Sequence, residues 1–318
     1  MKPNESFTHF ALSVIDELQQ ENRFSSAHIY QYALRALTQS IGGGTLFWGG
    51  VTKSAMKKFQ EYLENHQKSY NTISTYIRIV RAIYNRAIDK GIIIGEYRLF
   101  ANLKTGIAAD HKIALTAEQM KQLLSNEASC PLPADIRRAQ DHLRLMLLLQ
   151  GMPYTDLSHL RKADMQGNRL TCRRQKTGTE LCVHLMPEAI QLIEKYRNQD
   201  KTSPYLLNIL SGRMYGIDAF YEYQSQLRKL NSDLSHLSKY RKIENVTISS
   251  YTARHTWATI AKHCQVPEEV ISEGLGHSSL EITRTYLKSF EAGELSQANK
   301  IVNDYISTGK KLVWKQAF

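Results

Sequence analysis

Acidic residues are in short supply in this 318-residue chain: 30 Asp and Glu stand against 41 Lys and Arg, a net charge of +11. A deficit of that size favours an anionic partner, and nucleic acid is the commonest one. Long apolar runs are missing too. No stretch approaches the roughly 18–20 apolar residues that span a bilayer, which excludes a membrane-spanning class and leaves a membrane surface as the weaker competitor for the charge. The opening MKPNESFTHFALSV lacks the basic-then-apolar layout of a secretory signal. Cysteine is scarce, and Cys130, Cys172, Cys182 and Cys264 form no CxxC and no regular spacing. They are expected to be reduced core thiols of a cytoplasmic protein, not metal ligands or a disulfide framework. Neither GxxxxGK[ST] nor GxGxxG occurs, which argues against a nucleotide-driven engine.

What is present is an ordinary globular composition, 42% hydrophobic and 22% charged, in a chain long enough for two cores. The first hundred residues are helical in pattern. SFTHFALSVIDELQQEN and SSAHIYQYALRALTQSI place apolar residues three and four apart. GGGTLFWGG breaks the pattern as a loop, and TKSAMKKFQEYLENH resumes it with Thr52 as N-cap. In SYNTISTYIRIVRAIYNRAIDKG, one face is formed by Ile73, Tyr76, Ile77, Val80, Ile83, Tyr84 and Ala87, and Gly91 ends the helix. Arg78, Arg81 and Arg86 lie largely off that face, where they solvate or meet phosphate. The small, polar KTGIAADHK marks a linker, giving domains at residues 1–104 and 114–318 joined by 105–113. LTAEQMKQLL then opens a helix with Thr116 and Gln119 as a capping box, and PADIRRAQDHLRLMLLLQGM is a long helix with an apolar end. NRLTCRRQKTGTELCVHLM alternates over short range around a Lys-Thr-Gly-Thr turn, which predicts a β-hairpin; from Pro187 the pattern is helical again.

Three short motifs follow one another near the end: Arg254-His-Thr-Trp-Ala-Thr, then Leu275-Gly-His277-Ser-Ser, then Thr283-x-x-Tyr286. With LLLQGMPYTDLSHLRKADM and the hairpin RRQKTGTEL upstream, they resemble the tyrosine recombinase (phage integrase) family in order and spacing. The resemblance covers nearly the whole chain. It implies a mainly α fold: a helical core-binding domain of the SAM-like, integrase N-terminal type, then a DNA breaking-rejoining catalytic domain with a small antiparallel sheet. It also implies site-specific recombination through a covalent 3′-phosphotyrosine, with Tyr286 as nucleophile, Arg254 and His277 on the phosphate, and Lys176 of the hairpin protonating the departing 5′ oxygen.

The chemistry explains the residue types. A tyrosine hydroxyl, of pKa about 10, is a weak nucleophile until it is positioned and helped. Its attack builds charge on the non-bridging oxygens, and each positioned donor there is worth roughly 2.7–4 kcal/mol by analogy with oxyanion holes. A guanidinium suits that task because it offers two parallel N–H groups. The phosphodiester energy stays in the tyrosyl linkage, so no cofactor, neither ATP nor metal, is expected. Each residue also has a plainer reading: Tyr286 packing a helix, His277 capping one after Gly276, Arg254 pairing with Glu268 or Glu269. His255 and Trp257 are expected to be structural.

Two positions depart from the family. Pro153 stands where the first catalytic arginine is usual, and Tyr251 stands where a histidine precedes the second. Proline cannot donate a hydrogen bond, so a replacement arginine is expected. Strand side chains two apart share a face, which puts Arg174 with Lys176 and turns Arg173 outward to DNA backbone or solvent. Arg138 and Arg144 fit less well, being separated from the vacancy by the turn. Tyr251 can offer a hydroxyl but not proton transfer near neutrality.

By resemblance the partners are double-stranded DNA and three further copies in a tetramer on paired sites, which exchange the tail NDYISTGKKLVWKQAF; the same tail folded back on its own domain is the alternative. No membrane association is expected, and the location is cytoplasmic with the nucleoid. The rivals are a non-cutting DNA-binding regulator on the same fold and a type IB-like topoisomerase. The chain opens directly on the core-binding domain, which favours a simple invertase, resolvase or transposon-type enzyme of a mobile genetic element. Integration, inversion and excision all remain open.

Overall fold

The computed structural model describes residues 6–108, 114–125, 131–243 and 246–277. Eleven α-helices and three short strands are formed among them, so the mainly α expectation holds. The chain divides into two compact units, one of Met1–His111 with Gly212–Ser225, the other of Lys112–Ser211 with Gln226–Phe318.

The first unit is helical. Helices α1 (Phe7–Gln20), α2 (Phe24–Ser40), α3 (Lys53–Asn65) and α4 (Tyr70–Asp89) pack around one apolar core. Three of them begin at a residue whose hydroxyl accepts an otherwise unpaired N–H of the first turn: Ser6 for α1, Thr52 for α3 and Ser69 for α4. The face of α4 read from the sequence is the buried one, except that Tyr76 is only partly buried. The glycine-rich segment is a loop closed by a single 3₁₀ turn, Trp48–Gly50. There Trp48 stacks edge-on against Phe7 at 5.4 Å, which seals one end of the core. Residues 104–108 lie along this unit: Ala108 exchanges two hydrogen bonds with the Asn71 amide, and the carbonyl of Gly106 accepts from Ser74 Oγ. Gly212–Ser225 adds Phe220, whose ring lies 5.6 Å from that of His28.

In the second unit, α5 (Ala117–Leu123) opens with the Thr116–Gln119 capping box. The long α6 (Ala134–Leu148) leads through a turn into the short α7 (Tyr154–Ser158). Strands β1 (Met165–Gln166), β2 (Arg169–Arg173) and β3 (Glu180–His184) form an antiparallel sheet in that order. Helices α8 (Pro187–Lys195), α10 (Thr252–His263) and α11 (Glu268–Leu275) complete the set with the part of α9 (Gly216–Tyr240) that follows Ser225, and α10 packs on α6 and α11. Leu170, Cys172 and Arg174 face inward from the hairpin and are all at least nine-tenths buried, while Arg169 and Arg173 face solvent. The expected pairing of Arg174 with Lys176 on one face is not seen. Alternation lasts only while the backbone is extended, the strand ends at Arg173, and Lys176 lies exposed in the turn. Two cysteines also differ from expectation. Cys172 is buried, and burial pushes its thiol up to about 12, but Cys182 and Cys264 are exposed, because neither position faces a core. Cys130 lies outside the described residues.

His142 of α6 is 3% exposed, between the rings of Tyr154 and Tyr196. Burial, reinforced by Arg138, pushes its imidazole down to about 3. The unfolded chain binds this proton below about pH 6.5 while the folded chain refuses it, so stability is full above that pH and falls as the pH drops toward about 3. Each pH unit in that window costs about 1.4 kcal/mol for this one group. His142→Phe is expected to flatten the decline between pH 6.5 and 4.5, as read by urea unfolding at each pH.

Candidate active site

Helix α11 ends in a way that creates the site. Gly276 takes φ +63°, its N–H bonds the carbonyl of Glu273, and the N–H of His277 bonds that of Ser272. This double closure is a Schellman end, and the carbonyls of Leu275 and Gly276 are left facing outward at the negative pole of the helix.

Two guanidiniums meet those carbonyls. Arg254, in the first turn of α10 and only 2% exposed, donates from Nη2 to the Leu275 carbonyl at 2.7 Å and from Nη1 to the Gly151 carbonyl at 3.2 Å. Arg174 reaches in from the hairpin and donates from Nη1 to the same Leu275 oxygen at 2.8 Å and to that of Gly276 at 3.2 Å. Its Nε faces Asp156 of α7, with Oδ2 at 3.2 Å, and the other carboxylate oxygen of Asp156 accepts the backbone N–H of Gln175 at 2.8 Å. Asp156 therefore fixes both the guanidinium and the backbone that delivers it. Two positive charges lie side by side against one carboxylate, an environment that favours a further anion.

His277 completes the group, with Nε2 2.8 Å from Arg254 Nη2. Burial first, then the Arg254 guanidinium, then that of Arg174, push this imidazole down to about 4. The backbone of His277 thus closes the helix, and its ring meets the arginine.

The other candidates are placed differently. Tyr251, just before α10, is half-exposed with its ring 5.9 Å from that of His255. Lys176 is exposed at the hairpin turn. Arg173 lies 3.5 Å from its cross-strand neighbour Glu180. In the first unit Arg78 donates to the Ser74 carbonyl and to Thr75, Arg81 is exposed, and Arg86 pairs with Glu17 at 2.5 Å, which Lys90 shares. Arg144 is held by Glu188 and the Leu124 carbonyl, and Arg138 by the Asn208 carbonyl. Trp257 packs on Ala258, Ile271 and Leu275. Tyr286 and the tail beyond it lie outside the described residues.

The sequence reading passed over Asp156 and the two close-approach glycines. A lone carboxylate among the apolar Met152, Pro153, Leu157 and Leu160 of GMPYTDLSHL was the available signal, since a buried acid requires a cation. Gly151, at φ +70°, lies so near α10 that a Cβ would sit 3.0 Å from the Arg254 Cα. At Gly276 a Cβ would meet Leu181 Cδ2 at 2.7 Å and Arg174 Cδ at 2.9 Å. Gly276→Ala is therefore expected to cost about 1–2 kcal/mol of stability through strain at positive φ. It should also displace Arg174 well below the melting temperature, since the new methyl meets its Cδ; a thermal melt and the Arg174 guanidinium NMR shifts on one sample separate the two.

Comparison with known proteins gives the family. The phage integrase family model matches residues 114–292, and the phage integrase SAM-like domain model matches residues 6–101. The chain belongs to the phage integrase family. As a member it is a site-specific recombinase of the tyrosine type. Among curated proteins none matches it. Among solved structures it is similar to the Tn1549 transposon integrase in complex with a circular-intermediate DNA, at TM-score 0.60 and 15% identity over 93% of this chain and 99% of that one. It is also similar to a lambda integrase dimer bound to a COC′ core site, at TM-score 0.62 and 14% identity over 88% and 98%. A lambda integrase tetramer bound to a Holliday junction aligns at 0.62 and 14% over 88% and 77%. At these identities the structural likeness establishes the fold. No helix among the described residues is long and apolar enough to cross a membrane.

Proposed function

We propose that this integrase-family recombinase cuts DNA with Tyr286 and that Arg174 takes the place of the arginine missing at Pro153. The observation that carries the proposal is the convergence of Arg174 and Arg254 on one oxygen, that of Leu275, beside His277. Two guanidiniums that share one acceptor are near enough to share one phosphate.

In the reaction, the Tyr286 hydroxyl gives up its proton to solvent as its oxygen attacks the scissile phosphorus, the bond to the 5′ oxygen breaks, and a 3′-phosphotyrosyl ester forms. Arg254 and Arg174 stabilise the charge on the non-bridging oxygens. Arg174 binds its protein partners through Nε and Nη1, and among the described residues none bonds Nη2, so both Nη2 protons serve the phosphate. Lys176, on the turn that follows Arg174, gives its proton to the departing oxygen. Tyr251 contributes a hydroxyl at the rim in place of the usual histidine. Rejoining reverses each step with a new 5′ hydroxyl.

Duplex DNA is held by its backbone through Arg173 and through Arg78, Arg81 and Arg86 of the first unit, with Arg86 exchanging Glu17 for phosphate. The protein acts as a tetramer on paired sites through its tail, inside the cell with the nucleoid, and moves, inverts or excises a DNA segment. The solved relatives support this assembly, since lambda integrase forms dimers and a tetramer on DNA.

A nicked duplex carrying the crossover site, which lets the cut strand diffuse away, tests the proposal. An adduct that survives denaturant and disappears with protease is expected, undiminished by chelator and without ATP. A non-cutting regulator would shift the DNA on a native gel and leave no adduct.

A further inference from the structure

The bond between Arg254 and His277 fixes a proton as well as a position. A guanidinium can only donate. Nε2 of His277 is therefore the acceptor of the 2.8 Å bond, and the single proton of the neutral ring sits on Nδ1. A phosphate oxygen can only accept. The nitrogen turned toward the clamp thus presents a lone pair where a phosphate needs a hydrogen. The backbone of His277 is tied to Ser272 by the helix end, which limits how far the ring can withdraw.

We infer that His277 takes up a proton when the scissile phosphate enters the site, so that DNA engagement and proton uptake are linked. The inference rests on the recombinase reading above. Among the described residues, the charged groups that act on the ring include Arg254 from α10 and Arg174 from the hairpin; Asp156 of α7 stands behind Arg174 on its Nε edge. Buried beside these two cations, the ring stays neutral, down at about 4. A phosphodiester brings a full negative charge into the same space. It takes the Arg254 Nη2 hydrogen from the ring and favours the charged imidazole. The imidazolium then donates from Nε2. Free protein and complex thus hold different numbers of protons, and DNA affinity rises as pH falls through the pKa of the complex.

Calorimetry on the full chain with Tyr286→Phe, which binds without cutting, tests this. The probe is a duplex of the crossover half-site read from recombined junctions, titrated at pH 6.5 in two buffers of widely different ionisation enthalpy. The buffer-dependent heat should report uptake approaching one proton in the parent, and clearly less when His277→Gln is added, since an amide donates without charging. Affinity should rise up to about tenfold from pH 7.5 to 6.5 in the parent and change by less than about twofold with the glutamine. Equal uptake in the two proteins would overturn the inference, because a tautomer shift moves the ring proton to Nε2 with no net uptake. If the glutamine variant does not fold, ¹⁵N shifts of the His277 ring decide instead: a neutral ring in the complex overturns the inference, a charged one supports it. Absence of any adduct with the wild-type chain on nicked DNA would instead remove the underlying reading, so the two failures are distinguishable.

Discussion

Arg174→Ala is expected to slow strand cleavage by about 10²–10³-fold, the usual loss for one positioned donor at a developing anion. Arg173→Ala, one residue earlier, should change the rate by no more than about threefold, since an exposed cation contributes mainly screened backbone attraction. The contrast between neighbours tests delivery from the hairpin. Alanine at 174 also strands Asp156, 5% exposed, as a buried carboxylate without its guanidinium, and breaking such a pair typically costs about 3–5 kcal/mol. The double change Arg174→Ala with Asp156→Ala removes that charge. It should recover much of the stability and none of the cleavage, which separates lost chemistry from lost fold. If the double variant regained activity with its stability, Arg174 would be a structural cation only. Arg174→Lys should fall between wild type and alanine, because an ammonium keeps the charge and loses the fork.

Tyr286→Phe is expected to abolish the covalent adduct while leaving DNA affinity within about twofold. The substitution deletes one oxygen, the atom that becomes bonded to phosphorus, and no neighbour can supply it by moving slightly. Arg254, Arg174 and His277 remain to hold the phosphate, so binding and its salt dependence persist. The half-exposed Tyr251 is the informative control. Tyr251→Phe should cut with less than about a tenfold loss, since its hydroxyl adds at most one hydrogen bond to the phosphate. Loss of the adduct with Tyr251→Phe and its survival in Tyr286→Phe would reassign the nucleophile.

Much of this site was legible because local rules and the site demanded the same residues. The face of α4, the Thr116–Gln119 box and the inward parity of Leu170, Cys172 and Arg174 follow from periods of 3.6 and 2 that a core enforces. The convergence of Arg174 on Arg254 was within reach for the same reason: parity turned Arg174 inward, and an inward arginine beside a vacant arginine position has few places to go. Lys176 was misplaced because parity carries no information about where a strand stops. Asp156 escaped because its partners, Arg174 and the Gln175 amide, are 18 and 19 positions away, and periodicity describes a residue's face but not its partner. The same limit hid Gly212–Ser225, whose Phe220 shows an ordinary helical pattern while its contacts, Phe24 and His28, lie nearly two hundred residues earlier. The arginine acceptors were hidden further still. They are main-chain oxygens, which every residue carries and no motif marks.

The central claim is that one phosphorus is held by Arg174 and Arg254 together while the Tyr286 oxygen is bonded to it. A crystal structure of the chain with a nicked crossover duplex and vanadate tests this directly, since vanadate assembles the five-coordinate geometry between the tyrosyl oxygen and the two DNA ends. The expected result is a vanadium linked to Tyr286 Oη, with guanidinium nitrogens of both arginines within about 3 Å of its equatorial oxygens. Vanadate bound to Tyr286 with Arg174 still closed on Asp156 and pointing no nitrogen at it, or bound to a different tyrosine, would contradict the claim.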